Sequence, residues 1–340
     1  MRFLRKRRGT ELSEESEMAQ EMSLISILMA VYEPRMDWLR EQLESLNAQT
    51  YPNLELTVCD DCSQTVPFES ICSLVKDCIT AFPARVMRNE QNLGSNRTFE
   101  AMTKGAAGEY IAYCDQDDIW YPEKLTVLEQ AASRPGASLV CSDMEIIDET
   151  GEKTADSITQ VRRHHVFHEG NGLAEKLLFH NWVTGCTVLV PAALAKAAVP
   201  FCPYMVHDHY LAFYCAQRGK IVCIPRPLIR YRIHSANQTA VMAGVVDKKS
   251  YVDIRVDLLI NRFSWLLEHM ELDDSLRRQT RNALLWAKAR RANLTEHRGQ
   301  RTVWKYRSFS PKVALFELAA ALFPEKLFMN MIMLAKKNRI

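Results

Sequence analysis

The stretch Glu109-Tyr-Ile-Ala-Tyr-Cys-Asp-Gln-Asp-Asp-Ile-Trp-Tyr-Pro-Glu-Lys-Leu125 constrains this chain more than any other. The apolar run Tyr110 to Cys114 predicts a short buried strand. It stops at Asp115, Asp117 and Asp118, three carboxylates within four positions. Carboxylates so close repel one another unless a cation neutralises them. Hard divalent ions such as Mn²⁺ or Mg²⁺ take oxygen ligands, and Mg²⁺ is commonly held by one or two carboxylates together with substrate phosphates. The carboxyl end of a strand is also where open α/β sheets bind ligands. The competing reading is a solvated acidic turn leading into a helix, for which Pro122 is a fitting start.

Around this stretch the chain alternates. Apolar runs at 24–31, 54–59 and 85–88 read as strands, and 36–47, 68–79 and 95–106 carry apolar residues at helical spacing. Strand and helix in this rhythm predict an α/β fold with a mostly parallel sheet flanked by helices. The second half is less regular. We expect a long strand over 137–147, a polar loop over 150–171, a helix over 173–179 and a strand over 185–190. A helix over 210–217 follows, then two strands, 220–224 and 228–233, separated by Pro225 and Pro227. From about residue 250 the pattern is helical, with Pro324 splitting the last thirty residues into two short helices.

Composition narrows the partners. With 43 basic and 41 acidic side chains the net charge is +2, which gives no electrostatic argument for nucleic acid. The ten cysteines are scattered, many inside apolar runs, and no apolar segment follows the basic N-terminus. That combination reads as reduced thiols in a cytoplasmic protein. Residues 1–22 read as a flexible N-terminal extension. Its basic block and the two C-terminal helices are the places where the chain can touch the inner face of a membrane peripherally. A solvated tail and helices packed on the core are the preferred readings.

Four further constellations carry chemistry. Asp60 and Asp61 end the second strand, where an acidic residue can accept hydrogen bonds from ribose or base, or cap a helix. Cys59 and Cys62 flank them as C-x-x-C, but no second pair completes a zinc site. Asn92-Leu-Gly94-Ser-Asn96-Arg97 places a glycine turn at a helix start, a phosphate-binding geometry to which Arg97 adds a charged donor. In His207-Asp208-His209, Asp208 is a candidate general base or a helix cap, and the two imidazoles point apart rather than sharing a metal. Arg232 and His234 alternate near the end of an apolar run and suit gripping a diphosphate. His164, His165 and His168 lie in a polar segment without Cys or acidic partners at ligand spacing, and read as solvated or acceptor-facing.

Taken in order, these segments resemble the family 2 glycosyltransferases of GT-A (Rossmann-like) fold. The matching residues are Ile27-Leu-Met-Ala-Val-Tyr-Glu-Pro34, Leu43 to Leu56, Asp60-Asp61-Cys-Ser63, Asn92-Leu-Gly94 and Tyr113-Cys-Asp115-Gln-Asp117-Asp118. The chain looks most like rhamnosyltransferase-type members. The resemblance implies a glycosyltransferase domain over 23–240, with a nucleotide-sugar half at 23–135, an acceptor half at 136–240 and a helical extension at 250–340. It implies that Ala30, Val31, Tyr32 and Glu33 line the nucleotide pocket, that Asp60 and Asp61 contact base or ribose, and that Asp115 contacts sugar or ribose. Asp117, assisted by Asp118 and His234, would hold Mn²⁺ or Mg²⁺, and Asp208 would be the catalytic base of an inverting transfer. The donor would be a dTDP- or UDP-sugar. The acceptor would be a surface-polysaccharide or lipid-linked glycan hydroxyl, and a homo-oligomer is compatible with the sequence. The chain departs from the family pattern at Cys62, where Gly or Asn is usual, and at His207, where an acidic residue is common. The alternatives are a nucleotidyltransferase, although Tyr32-Glu33-Pro34 replaces the Gly-rich loop it would need, and a non-catalytic sugar-nucleotide-binding protein.

Overall fold

The computed structural model describes residues 22–162, 165–234 and 244–337. The expected extension, apart from Met22, lies outside them, as does His164. Strands β1 (Ile25–Val31), β2 (Leu54–Asp60), β3 (Ala84–Arg88) and β4 (Tyr110–Cys114) pair in parallel in the order β3-β2-β1-β4. Between them run α1 (Met36–Asn47), α2 (Phe68–Cys78) and α3 (Ser95–Gly105). After β4 come the two-residue β5 (Ile119–Trp120) and α4 (Lys124–Ala132).

Beyond β4 the sheet becomes mixed. It continues through β8 (Val188–Pro191), β6 (Ala137–Ile147), β9 (Lys220–Arg232) and back to β5, with the short β7 (Lys153–Ala155) beside β6. β8 runs antiparallel to both its neighbours, whereas β6 and β9 are parallel. The fold is therefore α/β as expected, with the parallel pairing concentrated in the first half.

Successive residues of each strand feed opposite faces. Ile111 and Tyr113 join a core with α3 and α5 (His207–Ala216), through Phe99, Met102, Leu211 and Phe213. Ala112 and Cys114 join the other, with α1, α2 and α4 through Leu39, Ile71 and Leu125. This two-sided burial is why the strands read as continuous apolar runs.

Three expectations are corrected. The two strands of 220–233 are one strand, because the pairing of β6 with β9 shifts register on either side of Asp143, which accommodates Pro225 between registered pairs and sets Pro227 opposite Asp143. Residues 185–187 form a 3₁₀ turn, and the strand begins at Val188. The loop after β6 contains β7 and a helical turn, Ile158–Val161.

The C-terminal region is helical as expected. Val252–Asp257 winds as a π-helical segment into α6 (Leu258–His269), followed by α7 (Asp274–Glu296), α8 (Gln300–Lys305), α9 (Pro311–Ala320) and α10 (Glu325–Lys337). The face of α6 carrying Phe263 and Leu266 joins the α5 side of the sheet, and Val256, Ala320, Phe328 and Ile332 form a separate apolar cluster. Inside this region Arg290 and Glu317 are both buried and joined by two hydrogen bonds of 2.6 Å.

Candidate active site

β4 delivers the acidic turn to the centre of the sheet, because β1 and β8 flank it on either side. Asp117 Oδ2 lies 2.7 Å from His234 Nε2, and the His234 ring packs on Trp38 at 4.9 Å. Asp118 is fully buried. Its Oδ1 accepts the Arg232 backbone N–H at 3.0 Å, and its Oδ2 is buried without a hydrogen-bond partner. Ligand atoms of Asp115, Asp118 and Cys186 lie within 4.8 Å of one another. Beneath them Lys124 is buried with its Nζ 2.5 Å from Cys186 O and 3.1 Å from the centre of the Trp120 ring.

The electrostatics follow from this crowding. Burial, then the charges of Asp117 and Asp208, push Asp115 up to about 7. Burial and the same turn's carboxylates push Asp118 up as well, and burial holds Lys124 down to about 7. A hard divalent cation relieves this repulsion. The Asp115 and Asp118 carboxylates converge with the Cys186 thiol, Asp117 faces His234, and the unpartnered Asp118 Oδ2 is an acceptor to which such a cation would bind.

Arg232 is placed differently from expectation. Its guanidinium is buried, ion-paired with Glu41 and hydrogen-bonded to Asp117 O at 2.9 Å and Asp148 O at 3.2 Å. It braces the acidic turn and does not reach out to a diphosphate. The physical reason is that β9 ends with Arg232 between β5 and α1, where Trp38 covers it at 5.0 Å.

On the donor side, Ala30 and Val31 end β1 next to the acidic turn, and Tyr32 is exposed. The Gln116 amide clamps the Tyr32 backbone, accepting its N–H at 2.8 Å and donating to its carbonyl at 3.1 Å. Glu33, at φ 45°, accepts the backbone N–H groups of Gln64 and Thr65, and the Thr65 hydroxyl above all holds its carboxyl below the usual range. Asp60 and Asp61 are buried and bound by the chain's own donors, except that Asp60 Oδ2 lacks a hydrogen-bond partner. Asp60 Oδ1 accepts Ser63 N at 3.0 Å and Ser63 Oγ at 2.6 Å, and its Oδ2 faces Arg88 at 3.4 Å. Asp61 accepts Asn89 Nδ2, Leu93 N and Gly94 N at 2.7–2.8 Å. Asp61 thus builds the Asn92-Leu-Gly94 turn, and Gly94, at φ 79°, leads into α3, whose first turn carries the exposed Arg97. Cys62 has φ 65°, the left-handed conformation that explains why Gly or Asn is usual there.

On the other side of the turn, Asp208 sits in the first turn of α5. Its Oδ1 accepts Asn181 Nδ2 at 3.0 Å and the His209 N–H, and its Oδ2 accepts Gly185 N at 2.9 Å. Burial still pushes it up to about 6. The flanking imidazoles do point apart. His207 packs on Phe99 and Tyr113 at 4.4 and 5.2 Å with Nε2 unpartnered, while His209 Nε2 meets Leu177 O. Burial drives both down to about 3, so they are neutral. A Cβ at Gly185 would lie 2.6 Å from His207 Nε2, so only glycine allows this approach. Asn96 ties the donor loop to α5 by accepting His207 N at 2.8 Å. His165 packs on Phe167 and His168 on Trp182; neither joins a metal-binding group among the described residues.

Sequence reasoning missed Gln116, Lys124, Asn181 and Cys186. Lys124 and Asn181 look like ordinary surface residues in the sequence, and only the fold buries one and aims the other. An isolated glycine just before a strand does carry a signal of close backbone approach, which Gly185 fulfils.

Sheet order, acidic turn and helical C-terminal region together define the GT-A class of glycosyltransferase folds. Residues 26–194, about half of the chain, match Glycosyl transferase family 2. The chain is similar to an uncharacterized glycosyltransferase of Rickettsia typhi, 28% identical over 64% of this chain and 66% of that protein. It spans just under two thirds of the length of the first curated relatives it matches. It is also similar to the Escherichia coli UDP-Glc:alpha-D-GlcNAc-diphosphoundecaprenol beta-1,3-glucosyltransferase WfaP, 34% identical over 31% of this chain and 39% of that one. Among solved structures, S. aureus TarS 1-349 in complex with UDP-GlcNAc superposes with a TM-score of 0.55 at 14% identity, covering 87% of this chain and 90% of that chain. The mannosyltransferase PcManGT from Pyrobaculum calidifontis, in complex with GDP-Man and Mn²⁺, gives 0.53 at 14% identity, covering 93% and 85%.

Proposed function

We propose that this chain is an inverting, divalent-cation-dependent glycosyltransferase. It moves a sugar from a nucleoside-diphosphate donor to a hydroxyl of a surface glycan or its lipid-linked precursor. The observation that carries this reading is geometric: Gly185, whose N–H binds Asp208 at 2.9 Å, adjoins Cys186, whose thiol lies within 4.8 Å of the Asp115 and Asp118 carboxylates. A carboxylate held by three donors and poised near 6 shares one site with the acidic turn.

Asp208 accepts the proton of the acceptor hydroxyl as that oxygen attacks the anomeric carbon. Asn181 and Gly185 fix which oxygen faces the acceptor. One displacement inverts the centre; retention would need a carboxylate nucleophile on the other face. Asp117, Asp118 and His234 would hold the cation, with Asp115 toward the sugar; when bound it supplies charge against the departing diphosphate. Ala30, Val31, Tyr32, Glu33, Asn92, Gly94 and Arg97 form the nucleotide rim, with Asp60 and Asp61 setting its loops. A uridine diphosphate donor is favoured by TarS and WfaP, dTDP-rhamnose being the donor implied by the rhamnosyltransferase-like sequence.

The test is a donor-hydrolysis screen across nucleotide sugars with Mn²⁺, comparing wild type with Asp117→Ala and Asp208→Asn. Turnover of one donor, lost in both variants and on chelation, is expected. Metal-dependent binding of a nucleoside diphosphate without turnover, even when glycan acceptors are added, would replace the transferase by a binding protein.

A further inference from the structure

The C-terminal helices bury one face and leave the other bare, and their side chains are distributed in an inverted sense. α9 turns Ala314, Glu317 and Ala320 inward. Its only carboxylate, Glu317, is fully buried against Arg290, with the Tyr251 hydroxyl 2.8 Å away. Its outward stripe runs through Lys312, Leu315 and Ala319 to Leu322, residues three or four apart and therefore on one side. Leu315 is 55% and Leu322 77% exposed. α10 does the same. Phe328 and Ile332 are buried, while Leu327 and Met333 are 45% and 53% exposed beside the exposed Lys326. Trp304 on α8 is half exposed, with the Arg307 guanidinium 4.3 Å from its ring centre. A helix facing water normally shows its charges and hides its leucines. A run of exposed leucines therefore marks a surface that something covers.

Charge selects the occupant. Residues 250–340 hold 17 basic and 9 acidic side chains, a net +8, whereas residues 1–249 hold 26 and 32, a net −6. The positive end of this asymmetric molecule is the end that carries the bare leucines. Lysine is depleted from the buried centres of protein–protein interfaces. Lysine and arginine among leucine and tryptophan are instead the composition of helices lying in a membrane interface, where anionic headgroups attract the cations and the acyl boundary takes the apolar side chains. Among the described residues no helix is long and apolar enough to cross a bilayer.

We propose that the outward face of α9 and α10, flanked by Trp304, docks the chain flat on an anionic membrane surface. This inference stands apart from the transfer reaction and is tested without it. The full chain is floated with phosphatidylcholine vesicles containing about one third phosphatidylglycerol, and with phosphatidylcholine alone. One variant carries Leu315→Ser, Leu322→Ser, Leu327→Ser and Met333→Ser; a second carries Lys312→Glu and Lys326→Glu. Both change exposed side chains, and circular dichroism and the thermal midpoint verify their folds. Wild type is expected to float with the anionic vesicles, to be released by high salt and to leave the neutral ones. Each variant is expected to lose about tenfold or more of the bound fraction. Three results would overturn the proposal: no binding to any vesicle, undiminished binding by both variants, or a lipid-free dimer that the serine variant converts to monomer. The last would give the face to a second copy of this chain.

Discussion

Asn181→Ala tests whether Asp208 is the base and whether its environment sets the working pH. The substitution removes one of three donors to the carboxylate and leaves the Gly185 and His209 N–H groups in place. A hydrogen bond to a charged acceptor contributes about 1.5–3 kcal/mol. Asn181 is exposed and Asp208 half-buried, so the lower end applies. About 1.4 kcal/mol corresponds to one pKa unit. The bond favours the ionised form, so losing it moves Asp208 upward, from about 6 by about one unit. A base must be ionised to act. The variant should therefore retain about a fifth of wild-type kcat/KM near pH 6, and nearly all of it near pH 8, where both forms are ionised. The assay is kcat/KM against pH with the donor identified by the screen. An equal loss at every pH would refute the argument, since it would mean that Asn181 supports the fold and not the base. A wild-type profile with no acid limb near 6 would remove Asp208 from the role altogether.

Other consequences can be measured without a known acceptor. Glu317→Ala leaves the buried Arg290 charge uncompensated and should cost about 3–5 kcal/mol in urea unfolding, whereas joint replacement by Arg290→Met and Glu317→Leu should be close to neutral. Asp115 ionises near 7 in the fold and well below that unfolded, so without a cation stability is lost as pH rises from about 4 through 7. Mn²⁺ should consequently raise the thermal midpoint more at about pH 8 than at about pH 5, and Asp117→Asn should shrink the rise. Gly185→Ala forces His207 and the adjoining Asp208 apart, and should lower kcat by about tenfold or more in a protein whose circular dichroism is unchanged.

The parallel half was readable because buried parallel strands are apolar without interruption, and β1, β2, β3 and β4 fall within two residues of their expected limits. The acidic turn was legible as a cluster, because Asp115, Asp117 and Asp118 crowd behind an apolar strand, but the sequence left a cation site and a solvated turn both open. The mixed half was not. Pro225 and Pro227 argue for a break, and nothing local reveals that β6 absorbs them by slipping register. Arg232 reads as a reaching cation, since the sequence does not show that Glu41, Trp38 and the Asp148 carbonyl enclose it. Asp60 and Asp61 are a related case. Acidic residues at a strand end serve a ligand or a loop equally well, and the deciding donors, Ser63, Asn89 and Leu93, become neighbours only through the fold.

β4 and β8 meet over three register pairs, from Tyr110 with Pro191 to Ala112 with Leu189. Asp115 leaves one side of this junction, and Gly185 and Cys186 enter the other. The joint is short, and Ile111, Ala112, Leu189 and Val190 in it are fully buried in the two cores. Under the proposed function, exchanging the elements beyond this seam while keeping the three pairs and their buried side chains is expected to change the acceptor and leave nucleotide binding in place.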